Sequence, residues 1–328
     1  MPELLFSRAK ASVEKIWINE KLSRIDIESE KCSASISLYG GHVLQWQPKG
    51  HKPVFWLSDQ AVFEQGKAIR GGIPICWPWF GPFPDEMLLN HNENTCGINS
   101  HGFARTSLWQ FKQVKETEHG IEIEITLSGE NEHPAWPFCF ELTQRLIFGD
   151  NFSQALSIKN LGLTKRANTE TLIADQPLTD NKAFYTGALH SYFAVGSAQE
   201  TSINSLAGID FEDKIAKPCD SNSDENRPLS NLNNIEQCLG PIDRIYHSAK
   251  DLTINDKANK RKITLTTEHT HQWVLWNPGV KIAGQMSDVH TNAENEFVCL
   301  EAANTIPIAL SKGKEVTISQ HISVEHNE

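Results

Sequence analysis

No stretch of this 328-residue chain approaches the roughly 18 consecutive apolar residues of a membrane-spanning helix, so no membrane partner is expected. The start, Met1-Pro2-Glu3-Leu4-Leu5-Phe6-Ser7-Arg8, lacks an apolar core of signal-peptide length, and no leader is expected there. Positive charge is also short. A net charge of −11 argues against nucleic acid or an anionic membrane surface as partner, because both repel a uniformly acidic face. Cysteine supplies no framework: Cys32, Cys76, Cys96, Cys139, Cys219, Cys238 and Cys299 are odd in number, widely spaced and contain no CxxC pair. They read as reduced thiols of a cytoplasmic protein, neither disulfide-bonded nor zinc-bound. Internal repeats and low-complexity tracts are missing, and so is any amphipathic helical period beyond one short candidate, Gln60 to Gly66.

What the chain has instead is a period of two. Ala34, Ile36 and Leu38 alternate with small polar residues before Gly40-Gly41 turns the chain into Val43-Leu44-Gln45-Trp46. Ile121, Ile123, Ile125 and Leu127 alternate with Glu122, Glu124 and Thr126, and Phe152, Gln154, Leu156 and Ile158 continue the pattern. Ile263-Thr264-Leu265, Trp273-Val274-Leu275-Trp276 and Val316 to Val324 read the same way. Half-buried antiparallel strands without alternating helices predict an all-β fold, a large antiparallel β-sandwich spanning residues 1–328 as one domain. Asp213 to Asn234, rich in Asp, Ser, Asn and Pro, reads as a long surface loop within it. No exposed apolar patch argues against a monomer.

Chemistry concentrates in three places. Arg70-Gly71-Gly72-Ile73-Pro74 and His101-Gly102-Phe103-Ala104-Arg105 frame the rigid aromatic turn Cys76-Trp77-Pro78-Trp79-Phe80-Gly81-Pro82. Arg offers a fixed fork of donors to an anion, and Gly lets backbone come close to a ligand, so the segment predicts a small anionic ligand. Only nine of the 30 cationic residues are Arg, which singles these two out. Cys76 and Cys96 flank the turn, as reactive thiols or, by the blander reading, buried structural ones. The second place is Gly187-Ala188-Leu189-His190-Ser191-Tyr192-Phe193, where a lone strand histidine is either a satisfied core residue or a working one. The third is Phe297-Val298-Cys299-Leu300-Glu301, whose carboxylate follows four apolar residues and so either faces solvent or sits where its pKa is tuned. His269 and His271 stand two apart on what reads as one strand face, but no third ligand stands at a diagnostic metal spacing.

Seven motifs in order resemble the glucose-6-phosphate 1-epimerase family, within the aldose 1-epimerase superfamily. They are Arg70-Gly-Gly-Ile-Pro, Trp77-Pro-Trp79-Phe-Gly81, His101-Gly-Phe-Ala-Arg105, Leu189-His190-Ser-Tyr-Phe193, Asp243-Arg244-Ile-Tyr246, Trp276-Asn277-Pro278 and Val298-Cys-Leu-Glu301. The resemblance implies a twisted supersandwich with an open cleft on a concave sheet, and anomer interconversion of hexose 6-phosphates without cofactor or metal. It also implies roles. His190 and Glu301 become the catalytic pair, acid toward the ring oxygen and base toward O1 on opposite sides of the hemiacetal. Arg70 and Arg105 become phosphate contacts, while His101 and Asp243 bind sugar hydroxyls and Trp276 or Trp79 supplies a stacking wall. Ser100 departs from the family pattern before the histidine, and the acidic stretch Pro82 to Asn99 is longer than a connection needs. A non-catalytic sugar-phosphate sensor on the same fold and a metal-dependent isomerase are the other readings, and an acid and a base both present count against the sensor.

Overall fold

The computed structural model describes residues 2–84, 87, 98–130, 136–164, 182–215 and 237–327. Apart from a few helical turns of three to five residues, its regular structure is strand, in three antiparallel sheets. The first is a five-stranded meander of β1 (Glu3–Arg8), β2 (Ala11–Trp17), β3 (Ser23–Ser29), β4 (Cys32–Ser37) and β5 (His42–Pro48). The eight-stranded second sheet contains β7 (Gln110–Thr117), β8 (Gly120–Glu130), β9 (Phe138–Phe148), β10 (Phe152–Leu163), β12 (Thr201–Ser202), β15 (Leu252–Asp256), β16 (Arg261–Glu268) and β19 (Glu315–His326). The third has six strands in the order β13 (Phe211–Asp213), β14 (Ile242–Tyr246), β17 (Gln272–Asn277), β18 (Phe297–Leu310), β11 (Ala183–Ala194) and β6 (Ile75–Cys76). The runs expected to be strands fall in β4, β5, β8, β10, β16, β17 and β19, because alternate apolar residues can bury one face of each. Among the described residues no helix is long and apolar enough to cross a membrane.

One contiguous core draws on all three sheets, with Ile25 and Ile36 from the first, Ile123, Leu146 and Phe152 from the second, and Leu189, Phe193 and Leu300 from the third. Burying each such side chain is worth about 1.5–3 kcal/mol. Strands β9 and β10 alternate buried and partly exposed positions, as strands with one wet face do. β11 and the first half of β18 are instead buried on both faces, one against the core and one beneath covering loops. That second face is where the chemistry lies.

A polar chain crosses the core behind it. Ser191 Oγ meets Gln320, whose Nε2 donates to Gln154 Oε1 at 2.7 Å. Gln154 donates in turn to Gln144, whose Nε2 donates to Gly41 O at 2.7 Å. The bonds let three glutamines sit fully buried in an apolar surround.

Two expectations are corrected. Gln60 to Gly66 is not helical: Ala61 and Phe63, two apart, both pack on the Leu22, Tyr39 and Ile69 cluster, an extended spacing that a helix would break. His269 and His271 lie in the turn between β16 and β17, not on a strand face. His269 has a left-handed φ of 58° and bonds Thr317 O, whereas His271 bonds Asn304. Cys96, Cys219 and most of the 82–99 and 213–234 loops lie outside the described residues. Cys32, Cys76, Cys238 and Cys299 are buried free thiols.

Candidate active site

Register builds the site. On β11 and β18, His190 stands opposite Glu301, Tyr192 opposite Cys299 and Ala188 opposite Ala303. β17 adds Val274 beside Glu301 and Trp276 beside Cys299. β14 places Asp243 beside Trp276 and Ile245 beside Val274, and β6 places Cys76 beside Ala188. Side chains two apart on a strand share a face, so all of these project to the same side. The row nearest the pair is small and apolar: Cys76, Ala188, Ile245, Val274 and Ala303, with Phe80 packed on it.

His190 Nε2 lies 3.3 Å from Glu301 Oε1. The two therefore sit side by side and do not face each other across a gap, as the sequence reading had them. O1 and the ring oxygen of a pyranose are substituents of one carbon, so adjacent groups can reach both. Among the described residues the second polar atom of each, His190 Nδ1 and Glu301 Oε2, is buried without a partner. Leaving such atoms unsatisfied costs about 1–3 kcal/mol each in a folded protein, a penalty that a bound polar ligand would relieve. Burial, followed by the nearby Asp243 carboxylate, pushes Glu301 well above the usual carboxylate range. Burial, followed by His101 and the two guanidinium charges of Arg105 and Arg70, pushes His190 well below the usual imidazole range. Both shifts favour the neutral forms, so the pair holds one dissociable proton between two groups in contact. Wherever that proton rests, one member is an acid and the other a base.

His101 is oriented by the backbone. Its Nδ1 accepts the Gly81 N–H at 3.1 Å, which assigns the proton of the neutral ring to Nε2. Burial, then Arg105 and Arg70, push its pKa down to about 3, so it stays neutral and Nε2 stays a donor. Its ring lies 6.0 Å from that of His190, edge to face. Asp243 is half-buried on the same face as Glu301, and burial raises its pKa first of all.

Both guanidinium charges help to depress His190, and Arg105 also acts on Glu301. Neither presents an open fork. Arg70 Nε bonds Asp288 Oδ2 at 3.1 Å and Nη1 bonds the Tyr192 hydroxyl at 2.9 Å, while Arg105 Nη2 bonds Ser100 O at 2.8 Å. Among the described residues each keeps donors for an anion, but not the full planar set that the residue type alone suggests. The glycines beside them serve backbone and not ligand. A Cβ on Gly72 would stand 2.1 Å from Val43 O, and one on Gly102 would stand 2.0 Å from Trp77 O. Trp79 is fully buried, packs on Phe83 and Phe103 and donates to Asn99 O, so it supplies no wall. Trp276 does border the site, half-buried and edge-on to His190. Ser100 contributes its carbonyl to Arg105 and its side chain is exposed.

Three contributors escaped the sequence reading. Tyr192 lies two residues beyond His190 on the same face, and that spacing could have found it. His42, fully buried, donates from Nε2 to Gly71 O at 2.6 Å and so braces the Arg70 loop. Asp288 comes from the connection after α1 (Gly279–Ala283), and nothing local ties it to Arg70. Among the described residues no three His, Cys, Asp or Glu side chains gather as a metal site.

The sequence matches the family described as aldose 1-epimerase over residues 23–323. The chain belongs to the aldose 1-epimerase family. A protein of Escherichia coli (strain K12), provisionally named a glucose-6-phosphate 1-epimerase, is 31% identical over 93% of this chain and 91% of its own length. A similarly named protein of Salmonella typhimurium shares the same identity and coverage. Among solved structures, a provisionally named mutarotase from Salmonella typhimurium superposes with a TM-score of 0.78 at 28% identity, covering 99% of this chain and 97% of that one. Galactose 1-epimerase from Lactobacillus acidophilus reaches a TM-score of 0.67 at 13% identity, with 97% and 99% covered, and shares the fold. This is an aldose 1-epimerase-family β-sandwich with its candidate chemistry on one sheet face.

Proposed function

We propose that this epimerase interconverts the α and β anomers of hexose 6-phosphates, glucose 6-phosphate first, with no cofactor. The observation that carries the reading is the buried His190–Glu301 contact, each partner keeping one unpartnered polar atom, beside two arginine charges. In the forward direction the shared proton first passes from Glu301 to His190 across their contact, and Glu301 then accepts the O1 proton as His190 donates to the ring oxygen. The C1–O bond within the ring breaks and an open-chain aldehyde forms. Rotation about C1–C2 presents the other carbonyl face, the ring hydroxyl adds back, and both protons return. Because the two groups share one proton at 3.3 Å, each turnover leaves the pair as it began.

Arg70 and Arg105 hold the 6-phosphate, His101 Nε2–H and Asp243 bind ring hydroxyls, and Trp276 borders the pyranose. An acidic chain in which two of its nine arginines act electrostatically on one buried histidine supports an anionic substrate over a free sugar. Saturation-transfer NMR of the α and β signals of glucose 6-phosphate tests the reading, with unphosphorylated glucose alongside. Acceleration is expected for the phosphate, and Glu301→Gln and His190→Ala should each lower it by a factor on the order of 10²–10⁴ with the fold intact. Full activity in both variants would overturn the assignment. Equal acceleration of both sugars would discard the phosphate contacts.

A further inference from the structure

The groups that hold an anion and the group that moves a proton are joined through a single side chain. The Tyr192 ring lies parallel to the His190 ring, with centroids 4.9 Å apart and planes 9° from coincidence. Its hydroxyl, at the other end, accepts from Arg70 Nη1 at 2.9 Å. The residue is buried, packed against Trp56, Phe297 and Trp276, so it has little freedom to move independently of its two contacts. Arg70 is held in turn at Nε by Asp288 and at its loop by His42. A displacement or reorientation of the guanidinium therefore reaches the imidazole face through one rigid aromatic ring.

We propose that Tyr192 is a positioning residue that couples the anion-holding Arg70 to the orientation of His190, so that the substrate's phosphate contributes to turnover and not only to binding. The inference rests on the hexose 6-phosphate reading above. A phosphate on Arg70 fixes the guanidinium from the remaining side, the guanidinium fixes the phenol, and the stacked phenol fixes the plane in which His190 presents its nitrogens. Misplacing a proton donor by a fraction of an ångström is costly in a near-attack geometry, so such a device acts on kcat. Electrostatics work in the same direction: a phosphate dianion offsets the two guanidinium charges that add to burial in depressing His190.

Tyr192→Phe keeps the stacked ring and removes only the link to Arg70. A hydrogen bond to a charged group is worth about 1.5–3 kcal/mol, so kcat for glucose 6-phosphate should fall by about tenfold or more while KM changes by less than about threefold. A merely bracing role for the hydroxyl would raise KM and leave kcat as it was, and that result would overturn the coupling. The link can also be cut from the other end with Arg70→Met. If Tyr192 acts through Arg70, adding Tyr192→Phe to Arg70→Met lowers kcat no further, and independent, multiplying losses would refute the proposal. This cycle keeps the test decisive if one single variant folds poorly. Wild-type protein that fails to accelerate glucose 6-phosphate removes the functional reading itself. Wild-type acceleration with an unchanged kcat in Tyr192→Phe removes the coupling alone.

Discussion

His42 makes the fold sensitive to acid, by an amount the structure sets. Its side chain is wholly buried, and among the described residues its one side-chain bond runs from Nε2 to the Gly71 carbonyl, with Nδ1 unpartnered. Burial is the chief cause of a pKa pushed from 6.5 down to about 4, with the Gly71 bond partly opposing it and Arg105 adding to it. The unfolded chain binds this proton more tightly than the folded one. The contribution to stability is therefore complete above the unfolded value of 6.5 and drains away as pH falls through the folded value of about 4. The corresponding loss is about 2 kcal/mol by about pH 5 and about 3 kcal/mol by about pH 4. His42→Gln keeps an amide donor within reach of Gly71 and has nothing to titrate. Urea unfolding of both proteins at about pH 7 and about pH 5 should give a pH-linked loss about 2 kcal/mol smaller in the variant, whatever the offset between them at neutral pH. Comparing slopes cancels His101 and His190, which titrate in both. Parallel pH profiles would show that His42 is protonated in the folded protein or reaches water, and would refute the argument.

Arg105→Leu should raise KM for glucose 6-phosphate about tenfold or more relative to its effect on unphosphorylated glucose, since a charge-assisted contact of about 1.5–3 kcal/mol is lost. An equal effect on both sugars would assign Arg105 to the scaffold. Gln154→Leu strands one N–H of the Gln320 amide and the side-chain carbonyl of Gln144 in the core, and thermal or urea unfolding should show a loss on the order of 2–5 kcal/mol. A neutral outcome would mean that water replaces the missing amide.

Strand content was legible because it is a one-dimensional signal: Ile121, Ile123 and Ile125 need only alternate to declare which face of β8 is buried. The central strands were harder to read for their role, since β11 and β18 are buried on both sides and Ala188, Leu189, Tyr192 and Phe193 show no alternation. Gln60 to Gly66 misled because seven residues cannot separate a helical period from an extended segment with two anchored side chains. The helix α1 went unseen for the same reason, being five residues long and opened by Gly279 at a φ of 62°. His190 and Glu301 could be named from motif resemblance, but their contact could not, because register between strands more than 100 residues apart is a property of the whole sheet.

The arginines show most sharply where sequence reasoning stops. Residue type and neighbouring glycines suggested two free forks held close to a ligand by flexible backbone. In the folded chain, the glycines are consumed by backbone crossings at Val43 and Trp77, and the forks are partly spent on Asp288, Tyr192 and Ser100. That expenditure gives the site its precision. In the proposed phosphate role, a free arginine on a loop would lose more rotamer freedom on binding an anion than a pinned one. Pinned at Nε and Nη1, Arg70 has little freedom left to lose, and one of its two pins is the ring on which His190 is stacked. The acidic partner carries a cost of its own, because Asp288 stands near any anion that Arg70 receives. The arrangement therefore trades some anion affinity for a defined guanidinium, which suits an enzyme that must release a product differing from its substrate at a single carbon.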